Sequence, residues 1–215
     1  KVWISNAGDE RAAKSIDESL RKLETDYIDL LLIHQAFGDY YGTYRAMQKA
    51  LEAGKVRAIG LSNFVDARFV DLVENMEVKP AVLQLETHVF SQQKRMRGLM
   101  APYGTRLMAW APLAEGRNGI FTHPTLTAIG AKYGKTAAQT ALRFLMAEDV
   151  IAIPKSVHRE RLVENFSIDD FELSAEDLDA IRALDGGKPM FADFNDPTLA
   201  KFLLEYDAKF NPERQ

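Results

Sequence analysis

Apolar residues in this 215-residue chain fall into short, nearly continuous runs separated by longer stretches with a helical period. Strands that are buried on both faces, as in a parallel sheet covered by helices, give such runs. In half-buried strands, apolar and polar residues alternate instead. The pattern predicts six strands, within residues 2–5, 28–34, 56–63, 81–86, 106–113 and 150–156.

Between the runs, apolar residues recur every three or four positions, which is typical of amphipathic helices. In "DERAAKSIDESLRKLE" the acidic residues come early and the basic residues late, as the helix macrodipole favours. Ser174 and Asp177 have the spacing of a capping box, and Asn195 or Asp196 would cap a last short helix. Helices are therefore predicted at 9–24, 43–53, around "DLVEN", and at 136–147, 159–167 and 174–184.

The repeated strand–helix order calls for a parallel sheet with right-handed crossovers. An open doubly wound sheet would show a glycine-rich phosphate turn, but the chain has no G-x-G-x-x-G and its first loop reads "NAGDE". A (β/α)8 TIM barrel is favoured instead. The chain would form one domain over 1–215 and supply six βα units of the barrel together with extra C-terminal helices. Because eight units make the barrel, we expect two βα units to be missing before residue 1.

Composition narrows the class of protein. The formal net charge is −4 with both signs mixed, so there is no basic field for nucleic acid or anionic membranes, and small molecules are the expected partners. Cysteine is absent, which excludes disulfides and thiolate chemistry and fits the cytoplasm. No apolar stretch approaches the ~20 residues of a membrane span.

In a parallel barrel, functional side chains lie where strands end. From position alone, alternatives stay open: His34 as a structural histidine, Asn63 as a helix cap, and Trp110 as core packing or as a surface for a planar ring. The strand ends supply His34, Gln35, Ser62, Asn63, Gln84, Glu86 near His88, Trp110, Lys155 and Ser156.

The stretch "IPKSVHRERLVEN" is more specific. Lys155 and Ser156 end a strand, and Arg161, Glu164 and Asn165 follow on one helical face. Two cations and a hydroxyl at a helix start predict an anion site; the alternative is a solvated basic helix start with Glu164 pairing locally. The four histidines lack metal-ligand spacing and G-x-S-x-G is absent, so neither a metal site nor a hydrolase triad is predicted.

Together these stretches resemble the aldo-keto reductases, of the bacterial type similar to 2,5-diketogluconate reductases. The resemblance is carried, in the family's order, by "KVW", "TDYIDLLLIHQAFGD", "GKVRAIGLSNF", "KPAVLQLETH", "MAWAPLAEG" and "IPKSVHRERLVENF". It implies a (β/α)8 barrel that binds NADPH in extended form without a Rossmann motif and reduces aldehydes or ketones to alcohols.

The resemblance also implies roles for single residues. His34 matches the catalytic histidine that orients the substrate carbonyl, and Lys1 the catalytic lysine. Ser62, Asn63 and Gln84 match the residues that bind the carboxamide of nicotinamide. Trp110 matches the aromatic residue that stacks on the nicotinamide ring. Lys155, Ser156 and Arg161 match the residues that bind the 2′-phosphate of NADPH. Glu164 and Asn165 match residues at the adenine end of the cofactor.

In the family a tyrosine donates the proton, a lysine lowers its pKa, and an aspartate pairs with that lysine. Both partners precede the lysine, so the resemblance implies that they lie upstream of Lys1 and that these 215 residues alone reduce little. Tyr40 and Tyr41 are unsupported stand-ins. The alternative reading is a non-catalytic NADP(H)-binding or regulatory protein of the same fold.

The substrate wall is expected to contain Trp3, Gln35 and Phe37. A polar Gln35 would suit hydroxylated substrates such as sugar-derived ketones or keto acids. The complete protein is expected to be a monomer, whereas an open arc of six strands leaves edges and apolar surface through which the fragment could associate.

Overall fold

The computed structural model describes residues 1–210, so the last five residues of the predicted domain lie outside the described part. The chain divides into two compact units. Unit one comprises 1–84, 98–105 and 192 onward, and unit two comprises 85–97 and 106–191.

All five strands have parallel partners. In chain order the strands are β1 (Leu31–Ile33), β2 (Ile59–Ser62), β3 (Val82–Glu86), β4 (Arg106–Trp110) and β5 (Ile151–Ala152). The helices are α1 (Asp9–Leu23), α2 (Tyr40–Glu52), α3 (Ala67–Asn75), α4 (Lys94–Met100), α5 (Pro124–Lys132), α6 (Ala137–Ala147), α7 (Arg159–Phe166), α8 (Ala175–Arg182) and α9 (Pro197–Phe210).

The first predicted strand is reduced to one parallel bridge between Val2 and Ile33. The Val2 N–H donates to the Leu32 carbonyl and the Val2 carbonyl accepts from the His34 N–H, at 2.8 and 2.9 Å. The chain then enters a 3-10 helix, Ile4–Asn6, and turns into α1 at Gly8, whose φ of 101° suits glycine. This early turn leaves no length for a longer strand.

The other strands are shorter than their apolar runs for local reasons. β4 ends at Trp110 because Ala111 adopts a left-handed conformation with φ of 50°. β5 has only two residues; Pro154, two positions further on, has no N–H for a ladder bond. Strand ends, and therefore candidate site residues, are fixed by these backbone interruptions.

In unit one the parallel register of β1, β2 and β3 aligns their carboxyl ends. Ile33 is paired with Leu61, and Ser62 with Gln84. β1 and β2 are buried throughout, as their continuous apolar runs predicted. Helices α1 and α2 pack against each other in this unit.

Unit two contains the β4–β5 pair, with Met108 opposite Ile151. One core cluster joins Leu142 of α6 to Ile168 and Phe171. Within residues 1–210, helices α4 and α5 were not predicted, because each contains a glycine, Gly98 or Gly130, which disfavours a helix. None of the helices within residues 1–210 is long and apolar enough to cross a membrane.

The predicted caps are only partly as expected. Ser174 caps α8 by accepting from the Asp177 N–H, but its own N–H goes to the Tyr133 hydroxyl, so the box is not reciprocal. Of the two candidates before α9, Asp196 accepts from the Thr198 N–H. Asn195 instead donates to Asp66.

Candidate active site and anion-binding cleft

The strand ends of unit one carry the two residues predicted for catalysis, Lys1 and His34, and three residues predicted to bind the cofactor, Ser62, Asn63 and Gln84. The His34 N–H is held by the Val2 carbonyl, and the Asn63 N–H by the Gln84 carbonyl at 3.0 Å. Lys1 directly precedes Val2, so the bridge between Val2 and Ile33 places it beside β1, which ends just before His34. The parallel register thus brings these residues to one edge of the unit-one sheet.

Lys1 is joined to Gln84 by a hydrogen bond from Nζ to Oε1. Gln84 is 4% exposed. Much of Lys1 faces solvent, but the partial burial of its ammonium group lowers the pKa of this lysine. Because the Gln84 carbonyl oxygen is used by Lys1, the Gln84 amide is oriented with its NH2 group free to donate.

His34 is half-buried, and the Trp3 ring meets it edge-on with centroids 4.9 Å apart. Burial and the nearby Lys1 charge lower the pKa of His34 to about 4. The imidazole is therefore neutral near pH 7. It can donate a hydrogen bond to an oxygen atom, but it holds no extra proton to transfer.

Asn63 is not a helix cap, which settles one of the sequence alternatives. The N-cap of α3 is Asp66, whereas Asn63 has a left-handed φ of 63°, a conformation that asparagine tolerates better than most residues. Its Nδ2 donates to the His34 carbonyl and to Gln35 Oε1, both at 3.2 Å. Asn63 therefore ties the end of β2 to the residues after β1.

Ser62 carries an unsatisfied buried group. The residue is 0% exposed, and its Oγ has no hydrogen-bond partner in the described protein. A buried hydroxyl without a partner costs about 1–3 kcal/mol. The Ser62 hydroxyl and the Gln84 NH2 group therefore fit a polar ligand group such as a carboxamide, which offers both an acceptor and a donor.

The predicted substrate wall differs in polarity from residue to residue. Gln35 is 9% exposed, and with its Oε1 taken by Asn63 only its NH2 group is left for other contacts. Phe37 is also buried, and the Arg68 guanidinium lies 5.1 Å from its ring centroid. Trp3 is half-buried against His34.

The two tyrosines considered as stand-ins for a proton donor do not fit that role. Tyr41 donates to the Asp71 carboxylate at 2.6 Å, and burial together with this bond raises its pKa to about 12. Burial also raises the pKa of Tyr40, which stacks on Tyr41 and meets Phe64 edge-on. Within residues 1–210, neither hydroxyl is hydrogen-bonded to Lys1 or His34.

In unit two, the residues predicted to bind an anion line a cleft of about 560 Å³ at the start of α7. Lys155 and Arg161 are exposed; neither has a carboxylate partner in the part of the chain that the structure describes. The Ser156 hydroxyl accepts from the His158 N–H at 3.1 Å and so turns the chain into the helix. The five predicted residues, Lys155, Ser156, Arg161, Glu164 and Asn165, all line this cleft.

Glu164 does not pair with the cations, contrary to the alternative reading. Its Oε1 accepts from Thr136 Oγ1 at 2.6 Å. The same Thr136 oxygen accepts from the Gln139 N–H and completes a capping box at the start of α6. Thr136 was not among the predicted site residues; the spacing in "TAAQ" could have identified it as a cap, but not as the partner of Glu164.

Trp110 ends β4 and is half-buried. Its ring lies 5.6 Å from that of Phe191, at an interplanar angle of 58°. A half-buried indole is consistent with a partly accessible ring face, not with full core packing. Phe191 was not a predicted site residue, because nothing local in the sequence links it to Trp110.

Comparisons with known proteins give the family of this chain. The Aldo/keto reductase family profile matches residues 1–186, and the chain belongs to that family. A curated relative, the glyoxal reductase of Bacillus subtilis, is 42% identical over 185 residues, which is 86% of this chain and 66% of the relative.

Solved structures give the fold class. MGS-M4, an aldo-keto reductase from a Medee basin deep-sea metagenome library, has a TM-score of 0.88 at 37% identity and covers 91% of this chain and 73% of its own. The Bombyx mori aldo-keto reductase in complex with NADP has a TM-score of 0.83 at 31% identity, covering 90% and 69%. The predicted aldo-keto reductase barrel class is thereby confirmed, and the chain spans about two thirds of its curated relative.

Proposed function

We propose that this protein is an NADPH-dependent reductase of aldehydes or ketones and that unit two holds the 2′-phosphate of the cofactor. The observation that carries the proposal is the pair of cations at the start of α7, Lys155 and Arg161, for which residues 1–210 supply no carboxylate partner. Arginine and lysine are the usual phosphate partners, and a helix N-terminus adds N–H donors. A cofactor without the 2′-phosphate would leave both cations without an ionic partner.

Glu164 and Asn165 are assigned to the adenine end. Thr136 holds the Glu164 carboxylate at 2.6 Å, which fixes its orientation, while the Asn165 amide lines the same cleft. An anchored carboxylate can accept from an amine, and an amide can both donate and accept. Trp110 is assigned to the nicotinamide ring, because an indole offers a flat surface for stacking.

In unit one, Ser62, Asn63 and Gln84 are assigned to the carboxamide of nicotinamide. The orphaned Ser62 Oγ and the free NH2 group of Gln84 supply the donor and acceptor positions that such a group needs. All three residues are buried, and a ligand amide bound there would supply the hydrogen bond that the Ser62 hydroxyl lacks in the described residues.

NADPH, when bound, supplies the hydride. As hydride reaches a carbonyl carbon, negative charge develops on the oxygen, and the protein must stabilise that charge and provide a proton. Neutral His34 is suited to donate a hydrogen bond to this oxygen, and the Lys1 ammonium adds positive charge near it. The proton donor itself is not supplied by Tyr40 or Tyr41.

For the 215-residue chain alone we therefore expect cofactor binding without appreciable turnover. A non-catalytic NADP(H)-binding protein would also bind cofactor, so binding alone does not distinguish the two readings. The unit-one pair of Lys1 and His34 favours the reductase, since a binding protein has no need of a lysine and a neutral histidine at the strand ends.

The substrate class follows from Gln35. Its carbonyl oxygen accepts from Asn63, which orients the amide so that the NH2 group can donate, and this favours a substrate with a second oxygen acceptor near the reacting carbonyl. Sugar-derived ketones, keto acids and dicarbonyls have such an oxygen. The relative named glyoxal reductase is consistent with this chemistry.

The experiment is a paired titration of the chain with NADPH and NADH, following energy transfer from tryptophan to the reduced nicotinamide. We expect NADPH to bind about 100-fold more tightly, the factor that two charge-assisted contacts of modest strength would give. Equal affinity for the two cofactors would overturn the proposal. Turnover of a sugar-derived ketone and of an aromatic aldehyde, by a form of the protein that is active, then tests Gln35; preference for the aromatic would contradict its role.

Association of the isolated chain remains a prediction. Phe166 and Val163 of α7 are 84% and 57% exposed, and Ile153 is 48% exposed. Such apolar surface favours self-association. Sedimentation at several concentrations is expected to show species larger than the 24.2 kDa monomer.

A further inference from the structure

Glu86 is a buried carboxylate to which the proposed function gives no role. It ends β3 and is 3% exposed. His88, fully buried, places Nε2 3.2 Å from Glu86 Oε1, while its Nδ1 accepts from the Phe90 N–H. Because Nδ1 accepts, the ring proton is on Nε2, and His88 donates it to Glu86.

The remaining contacts of the carboxylate reach a segment more than 100 residues further along the chain. Oε1 accepts from the Met190 N–H at 2.5 Å, and Oε2 from the Phe191 N–H at 3.1 Å. Burial alone would raise the pKa of Glu86, but the bonds from His88 and the two N–H groups hold it below its ordinary value. The carboxylate therefore stays ionised and binds both N–H groups.

The ring of Phe191 shows what this contact controls. It lies 5.6 Å from Trp110 and 6.2 Å from His88, and the Arg117 guanidinium lies over the ring, 4.5 Å from its centroid. A small displacement of the Phe191 backbone would therefore move this ring relative to the indole of Trp110.

We infer that Glu86 is a positioning residue: by holding the backbone N–H groups of Met190 and Phe191, it fixes the Phe191 ring against Trp110 and so shapes the surface that Trp110 offers to a planar ligand. That the ligand is nicotinamide rests on the proposed function. The positioning itself is a property of unit two and does not depend on any ligand.

The test uses the 215-residue chain labelled with 5-fluorotryptophan. The chain has two tryptophans, so fluorine NMR gives two resonances, which Trp3→Phe assigns. Glu86→Gln keeps the side-chain shape but leaves one acceptor oxygen for three donors. We expect the Trp110 resonance to shift, the Trp3 resonance to stay, and the Met190 and Phe191 amides to exchange about tenfold faster.

Asp177→Asn is the matched control, because Asp177 is also a buried carboxylate of unit two, 2% exposed and held by Lys132, Tyr133 and Ser174. It should cost stability without moving the Trp110 resonance. The inference is overturned if Glu86→Gln leaves the Trp110 resonance and the two amides unchanged, or changes them no more than Asp177→Asn does.

Phe191→Leu keeps the backbone donors and removes only the ring, so it tests the contact between Phe191 and Trp110, on which the inference depends, even if Glu86→Gln does not fold. It should shift the Trp110 resonance while the two amides stay protected; an unmoved resonance would contradict the inference. Titration of the unsubstituted chain with NADPH is read separately. If the unsubstituted chain does not bind NADPH, the proposed function is contradicted. The fluorine NMR and amide-exchange results still test the role of Glu86.

Discussion

The strand-end cluster of unit one and the α7 cleft of unit two differ in how many of their partners the protein itself supplies. In the cluster, Lys1 is bonded to Gln84, and Asn63 holds both Gln35 and the His34 carbonyl, so side-chain orientations are fixed before any ligand arrives. In the cleft, Lys155 and Arg161 have no partner in the described residues. One region supplies orientation and the other supplies charge.

This difference has a physical basis. A fixed network of hydrogen bonds loses little entropy on binding and selects a ligand group by its shape and its donors. Exposed cations attract any phosphate, but their contribution falls with ionic strength. Removing charge from the cleft should therefore cost affinity, whereas changes in the cluster should alter orientation, local stability or protonation.

The largest effect is expected from Lys155→Met combined with Arg161→Met. With no cation left for the 2′-phosphate, NADPH affinity should fall about 100-fold and approach that for NADH. Lys14→Met/Lys22→Met removes the same charge from α1 and is the control. The comparison fails if the two double variants bind NADPH equally, or if the affinity of the unsubstituted chain is insensitive to salt.

Thr136→Val should have the next largest effect. It removes both the cap of α6 and the bond to Glu164, and loss of an N-cap costs about 1–2 kcal/mol. Glu164 is then free to pair with the cations, so NADPH affinity should drop as well. Urea unfolding and NADPH titration measure the two effects; Thr136→Ser, which keeps the hydroxyl, should leave both near the original values.

Ser62→Ala sharpens the comparison because it should act in opposite directions on stability and binding. Removing an unsatisfied buried hydroxyl should raise the free energy of unfolding of the free chain by about 1 kcal/mol. It should also weaken NADPH binding, because the carboxamide loses a partner. Ser91→Ala, at a buried serine whose hydroxyl accepts from Gln93, is the control and should not stabilise. A destabilised Ser62→Ala chain would contradict the orphan assignment.

The smallest effect concerns His34. Its pKa of about 4 lies below the ordinary value of 6.5, so the unfolded chain binds the proton first and stability is lost as pH falls from 6.5 towards 4. Lys1→Met removes a positive neighbour and should raise the pKa of His34, which flattens this loss. NMR titration of the imidazole measures the pKa of His34, and Lys14→Met, at an exposed lysine, is the control. If Lys1→Met leaves the pKa of His34 unchanged, the charge of Lys1 does not act on His34.

Sequence reasoning succeeded where the physical signal is local. Continuous apolar runs gave the parallel strands, and the helical period gave α1, α2, α6 and α7 within a few residues. The cleft residues could be grouped because a strand end and one helical face bring them together within 11 residues, from Lys155 to Asn165.

Other features depend on backbone conformation or on distant partners, and local patterns carry neither. The left-handed φ of Asn63 removes it from capping although its residue type favours a cap. Thr136 meets Glu164 28 residues away, and Glu86 meets Met190 104 residues away. The turn into α1 at Gly8 shortened the first predicted strand, although the residues of that strand have high β propensity.

Helix α7 carries Arg161, one of the residues that we propose bind the 2′-phosphate, yet it contains no buried residue. With little apolar burial to hold it closed, this helix should open locally far more often than the chain unfolds as a whole, exposing Arg159 and Arg161 to trypsin. A ligand that bridges Lys155 and Arg161 would suppress that opening. Resistance to limited proteolysis at α7 should therefore report occupancy of the cleft, even in a chain that turns over no substrate.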